Sequence, residues 1–126
     1  MLNFDFVLLH VADPLASADF YSGLLDRPVL ESSPGFAMLP LNDTIMLGLW
    51  LADAAAPDGT GKPGASEVSF DVTDKAKLND LHDDWRAKGI SVLVDPMELP
   101  FGRTFVAADP DGHRIRIVAT GKDLPN

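Results

Sequence analysis

The chain has 126 residues, no cysteine and a net charge of −9 at pH 7, and 46% of its residues are hydrophobic. This length suits one compact domain with a substantial core, and the composition excludes disulfides, thiolate catalysis and cysteine-based zinc sites. The acidic balance, with a sequence pI near 4.5, argues against a surface for nucleic acid or anionic membranes. No long apolar run or signal-peptide pattern is present, so we expect a cytoplasmic protein without a membrane partner.

The first half of the sequence predicts a strand, a helix and three further strands. The segment FVLLHVAD suits a largely buried strand, and Asp13 followed by Pro14 is typical of a helix start. The next segment, LASADFYSGLL, has helical apolar spacing, and we expect Gly23 and Pro28 to close that region. Three short strands follow, with LND as a hairpin turn, at residues 29–31, 35–41 and 44–51.

The second half repeats this order after a segment rich in Ala, Gly and Pro. That segment, residues 53–65, is predicted to be a linker. SEVSFDVTD predicts a strand ending in a helix cap at Asp74, and KAKLNDLHDDWRAKG predicts a helix that stops at Gly89. ISVLVDPMEL, RTFVAAD and HRIRIVAT predict three more strands.

The chain is therefore interpreted as two βαβββ modules, residues 4–52 and 66–120, within a single domain of residues 1–126. Placing Asp13 on Asp74 aligns the two modules and sets Phe6 on Glu67. The predicted fold class is α+β, with the two modules forming a cupped mixed sheet. Strand alternation then gives each strand one row of side chains facing a helix and one row facing the cup.

Three segments resemble the vicinal oxygen chelate superfamily, which includes glyoxalase I, extradiol dioxygenases and bleomycin-resistance proteins. They are HVADPLASADFY, EVSFDVTD and FGRTFVAADPDGHRIRI, and the resemblance spans residues 4–119. It implies the glyoxalase/bleomycin-resistance fold and a homodimer, because cup-shaped relatives complete their pockets across subunits. Among metal-free members, the FGRTF and DPDGH ending and a Trp late in the fourth strand are similar to the phenazine-antibiotic resistance proteins.

Metal-dependent members of that superfamily take a His from the first strand, a His from the fifth and a Glu from the last. The resemblance places these positions at Phe6, Glu67 and Arg116. Because phenylalanine has no donor atom and a guanidinium is a permanent cation, we expect no metal of this kind. No other cofactor and no catalytic residue is predicted. Arg116 is expected either to pair with Glu67 across the vacated metal position or to contact a ligand.

The cup-facing rows predict a small-molecule pocket with an aromatic and apolar floor and a few polar groups. Trp50 is expected to stack on a flat ligand, with room left beside the indole by Gly48. Trp85, His82 and His113 are interpreted as structural. The predicted ligand-binding residues are Phe6, His10, Met46, Trp50, Glu67, Ser69, Phe101, Arg103 and Arg116.

The sequence thus predicts a metal-independent protein that confers resistance by sequestering a planar aromatic drug. One alternative is a divergent metal-free lyase, isomerase or transferase in which His10 and Glu67 act as a proton-transfer pair. Another is a regulatory partner whose cup binds a metabolite. The sequence leaves open which ligand is bound and whether the dimer is domain-swapped or side by side.

Overall fold

The computed structural model describes residues 4–54 and 66–121 of the chain. Contacts divide the chain into two units, before and after the boundary between residues 65 and 66. The first unit consists of β1 (Phe6–Val11), α1 (Pro14–Leu25), β2 (Glu31–Ser32), β3 (Phe36–Pro40), β4 (Met46–Leu51) and a 3₁₀ turn (Ala52–Ala54). The second consists of β5 (Glu67–Asp71), α2 (Lys75–Ala87), β6 (Val92–Leu99), β7 (Gly102–Ala108) and β8 (Arg114–Ala119).

Each unit forms one mixed four-stranded sheet, and the two sheets have the same topology. The strand orders are β1-β4-β3-β2 and β5-β8-β7-β6. In both, the first strand pairs in parallel with the last, and the remaining pairs are antiparallel. The predicted α+β class and the repeated βαβββ order are therefore confirmed.

Both helices begin at an aspartate whose side chain accepts hydrogen bonds from the first turn. The Oδ1 atom of Asp13 accepts from the backbone N–H of Ala16 at 3.2 Å, and Pro14 is the first residue of α1. The Oδ1 atom of Asp74 accepts from the backbone N–H of Ala76 at 2.7 Å. These bonds satisfy amide groups that a helix start otherwise leaves without partners. The two aspartates aligned from the sequence are thus equivalent caps.

The core of each unit lies between its helix and one face of its sheet. In the first unit, Tyr21 of α1 is fully buried together with Leu9, Leu47 and Leu49 of the sheet. In the second unit the aromatic rings of Trp85 and Phe105 meet edge to face, with centroids 5.4 Å apart. Leu78 of α2 and the strand residues Ile115 and Ile117 are also fully buried in that unit. The other face of each sheet, which its helix does not cover, is called the open face below.

Several predicted boundaries differ from the structure for local reasons. Gly23 was expected to help close α1, but the helix continues to Leu25 and is capped at Asp26, which has a left-handed φ of 54°. Strand β4 starts later than predicted because the Oδ1 atom of Asn42 accepts from the backbone N–H groups of Thr44 and Ile45. This side chain holds the turn through Ile45. Gly89, with φ of 79°, follows α2 as predicted.

Strand β6 is irregular. Its register with β7 shifts between Val92 and Val94 and again between Val94 and Met97. Pro96 lies within the second shift. A proline has no amide hydrogen for the ladder, so it is tolerated here on the outer strand of the sheet.

The predicted linker lies mostly outside the described residues. The 3₁₀ turn Ala52–Ala54 covers its start, and residues 55–65 are not described. None of the helices that the structure describes is long and apolar enough to cross a lipid bilayer.

Candidate functional site

The open face of the first sheet carries aromatic and aliphatic side chains. Along β1, Leu9 and Val11 are buried on the core side of the sheet, whereas Phe6, Leu8 and His10 point to the open face. Alternation in β3 and β4 places Phe36 and Trp50 on the same face. The sequence-based division of β1 and β4 into two rows agrees with this burial pattern.

Four of these side chains line a pocket of about 390 Å³: Phe6, Leu8, Phe36 and Trp50. Leu8 is 48% exposed, which is unusual for a leucine in the middle of a strand. His10 lies beside Trp50, its partner in the parallel ladder, and the two rings meet edge to face with centroids 6.4 Å apart. The pocket is therefore apolar, with the indole N–H and the nearby imidazole as its polar groups.

The space above Gly48 is filled, contrary to the expectation that it stays open beside the indole. A Cβ atom at this position would lie 2.4 Å from Cε1 of Phe6 and 2.6 Å from Cδ2 of Leu8. It would also lie 3.2 Å from Cε1 of Phe36. Because the glycine has no side chain, three pocket residues lie directly against the backbone of β4. Gly48 therefore supports the pocket floor and does not itself provide the opening.

The open face of the second sheet holds an ionic cluster. The Nε atom of Arg116 donates to Oε1 of Glu67 at 2.5 Å, and its Nη1 atom donates to Oγ1 of Thr104 at 3.2 Å. The side chains of Arg116 and Glu67 are 21% and 35% exposed, so the pair is partly shielded from water. Of the two alternatives for Arg116, the structure shows the pairing with Glu67.

This cluster does not fit the metal ligand set that the resemblance implies. A divalent cation at these positions requires lone pairs, but Arg116 supplies a positive charge and already neutralises Glu67. Phe6 has no donor atom, and its ring lies over Gly48. The residues at the three positions therefore suit hydrogen bonding and apolar packing instead of metal coordination.

A separate group of potential donor atoms lies in the turn before β8. Atoms of Asp109, Asp111 and His113 come within 4.8 Å of one another. The Oδ1 atom of Asp109 accepts from the backbone N–H groups of Asp111 and His113, and Oδ2 lies 2.7 Å from Nδ1 of buried His113. These bonds close the turn, in agreement with the structural interpretation of His113. His82 likewise packs against Phe105, with ring centroids 5.3 Å apart.

The structure separates the predicted site residues of the second unit onto two faces. Ser69 lies on the open face opposite Arg116 in the parallel ladder. Arg103 was predicted to bind the ligand, but it lies in β7 and faces α2, where its Nε atom donates to Oδ1 of Asn79 at 2.8 Å. Phe101 precedes β7 and is 53% exposed. In the first unit, Met46 is half-buried and pairs with Phe6.

Sequence reasoning missed two pocket residues and one partner of Arg116. Leu8 and Phe36 line the pocket, and Thr104 accepts from Arg116. Strand alternation was a usable signal for Leu8, which lies between Phe6 and His10 in the cup-facing row. For Phe36 and Thr104, the missing information was the register of β3 and β7 with the central strands.

The chain is similar to a known resistance protein and to several solved structures. It is 26% identical over 113 residues to the phenazine antibiotic resistance protein EhpR of Enterobacter agglomerans, covering 87% of this chain and 86% of that protein. Among solved structures, protein ATC0852 of Agrobacterium tumefaciens has 39% identity and a TM-score of 0.83, with 94% and 98% of the two chains covered.

A glyoxalase-related enzyme from Fulvimarina pelagi shares the fold at 23% identity, with a TM-score of 0.78 and 94% and 88% of the chains covered. Residues 3–117 match the family described as the glyoxalase/bleomycin resistance protein/dioxygenase superfamily. This match covers nearly all of both βαβββ units. The chain therefore belongs to the glyoxalase/bleomycin resistance protein/dioxygenase superfamily.

Proposed function

We propose that this protein is a metal-independent binding protein that sequesters a planar aromatic antibiotic without altering it. The observation that carries the proposal is the apolar pocket lined by Phe6, Leu8, Phe36 and Trp50. Its volume of about 390 Å³ lies in the range of small-molecule sites. Three aromatic rings among four lining residues favour a flat ring system, which gains both apolar burial and stacking.

The chemistry of the family's metal positions supports binding without metal catalysis. Arg116 and Glu67 form an ion pair there, and the third position is Phe6. The similarity to a phenazine antibiotic resistance protein supports a flat, ring-containing drug as the ligand class. Elemental analysis of the purified protein provides the direct test, since about one transition metal per chain would contradict metal independence.

We further propose that the protein acts as a homodimer in the cytoplasm. The open face of the first sheet supports the dimer, because it exposes Leu8 and partly exposes Phe6, Phe36 and Trp50. Apolar groups of this kind are commonly covered by a ligand or another protein surface. Light scattering after gel filtration measures the oligomeric state, and a monomer at micromolar concentration would contradict the dimer.

Titration with phenazine tests the binding proposal. Isothermal calorimetry is expected to show saturable binding that falls by about thirtyfold in Trp50→Ala, because loss of a stacking anchor costs about 2 kcal/mol. Leu30→Ala is the matched control, since Leu30 is 54% exposed but does not line the pocket. Equal affinity of the wild-type protein, Trp50→Ala and Leu30→Ala for phenazine would contradict the proposal. Failure of the wild-type protein to bind any planar aromatic compound would also contradict it.

The second candidate function is an enzyme. The edge-to-face contact of His10 with Trp50 favours it, because this contact places an imidazole, which can transfer protons, near the pocket. In that alternative the imidazole of His10 exchanges a proton with the bound ligand. Mass spectrometry of the ligand after incubation separates the two functions. Sequestration predicts unchanged ligand, and a new product that disappears in His10→Ala would favour catalysis.

A further inference from the structure

We infer that Gly48 is the residue that positions the pocket side chains and thereby sets which flat ligands fit; this inference rests on the proposed binding function. Three side chains meet at Gly48, two from β1 (Phe6 and Leu8) and one from β3 (Phe36). Distances of 2.4 and 2.6 Å from a Cβ atom to Phe6 and Leu8 are below van der Waals contact. Any side chain at this position would push both residues away from the sheet.

The second sheet shows what a large side chain does at the equivalent position. Parallel pairing aligns Leu8 with Gly48 in the first sheet and Ser69 with Arg116 in the second. Arg116 therefore occupies the place of Gly48.

The neighbours correspond in the same way. Phe6 and Glu67 are each the first residue of the first strand in a unit. Each side chain reaches diagonally to the last strand, where Phe6 meets Gly48 and Glu67 meets Arg116. Phe36 pairs with Trp50 as Thr104 pairs with Val118. Phe36 and Thr104 also reach the last strand diagonally, to Gly48 and to Arg116 respectively.

The two sheets thus use one set of three positions in opposite ways. In the second, a guanidinium fills the centre and its neighbours become hydrogen-bond acceptors. In the first sheet, the central residue is Gly48, which has no side chain, and the neighbouring rings of Phe6 and Phe36 lie against its backbone. The depth of the pocket is consequently set at residue 48, and the aromatic walls depend on the glycine beneath them.

The test compares Gly48→Ala with Gly35→Ala. Gly35 also belongs to the first unit, but a Cβ atom there has no neighbour within 4 Å. Gly48→Ala is expected to weaken phenazine binding by about tenfold or more and to affect the smaller two-ring compound quinoxaline less. Gly35→Ala is expected to keep both affinities within about twofold. A loss in Gly35→Ala equal to that in Gly48→Ala would overturn the inference.

A double variant separates pocket positioning from general damage. Phe6→Leu removes the Cε1 atom nearest to the added Cβ. Gly48→Ala is therefore expected to cost less than about threefold in phenazine affinity in the Phe6→Leu background. An equal cost in both backgrounds would show that the alanine acts elsewhere. Melting temperatures of all variants establish that each is folded.

A measurement without ligand distinguishes this inference from the proposed function. In the wild-type protein, a nuclear Overhauser effect is expected between a Leu8 methyl group and the Hα atoms of Gly48, and Gly48→Ala should shift that methyl resonance. If the wild-type protein binds no aromatic compound, the binding function fails while this spectrum still decides the role of Gly48. An unchanged Leu8 methyl resonance in Gly48→Ala would overturn it.

Discussion

The ion pair between Arg116 and Glu67 predicts a measurable coupling between two positions 49 residues apart in the chain. Exposed ion pairs contribute about 0–1 kcal/mol, whereas removing one partner of a buried pair costs about 3–5 kcal/mol. With side chains 21% and 35% exposed, this pair lies between those limits. We therefore expect Glu67→Gln to lower the free energy of unfolding by about 1–2 kcal/mol.

Urea denaturation of a double-mutant cycle measures this coupling. For a urea dependence of about 2 kcal/mol per molar, the midpoint should fall by roughly 0.5–1 M in Glu67→Gln. In an Arg116→Met background the same change should have little effect, because there is no longer a guanidinium that loses its counter-charge. Asp84→Asn is the matched control. Its partner Lys88 is the C-cap residue of the same helix, and both side chains are more than half exposed, so a loss of less than about 0.5 kcal/mol is expected.

Two results would refute this reasoning. An equal loss of stability for Glu67→Gln with and without Arg116 would show that the two side chains are not energetically coupled. A loss in Asp84→Asn as large as that in Glu67→Gln would show that partial burial adds nothing to the ion pair. The first result would leave packing of the aliphatic part of Arg116 as its contribution to the open face.

Three further changes test the frame around the site by urea denaturation. Asp74→Ala should cost about 1 kcal/mol, because the first turn of α2 loses its cap; no change would contradict that role. Phe105→Ala should cost about 3–5 kcal/mol, since this ring is fully buried against Trp85; a cost below about 1 kcal/mol would contradict tight packing. Asp109→Ala should cost about 3 kcal/mol, because two backbone N–H groups and His113 lose an acceptor. A smaller loss in Asp109→Ala than in Asp74→Ala would argue against this account of the turn.

The repeated fold was predictable because its signals are local in the sequence. Each helix start is marked by an aspartate, Asp13 or Asp74, followed by helical spacing and preceded by a strand. The pairing of Glu67 with Arg116 was one of two alternatives because the family resemblance placed both residues at the positions of metal ligands. Strand alternation then separated buried from open faces without any knowledge of strand order.

The details of the pocket were not predictable because they depend on strand register. The sequence shows that Gly48 lacks a side chain, but the neighbours that fill the space come from β1 and β3. Arg103 was assigned to the ligand site without knowledge of which face of its strand it occupies, and its bond to Asn79 of α2 reverses that assignment. Both differences arise from contacts between residues far apart in the chain.

The irregularity of β6 affects how the protein resists misassembly. β6 is an outer strand of its sheet, and Pro96 together with two register shifts makes it a poor template for an incoming strand. The outer strand β1, with the sequence FVLLHV, contains neither proline nor an acidic, lysine or arginine side chain. Its regular backbone and apolar side chains make it the better template, so aggregation of partly unfolded protein is expected to begin at β1 and not at β6.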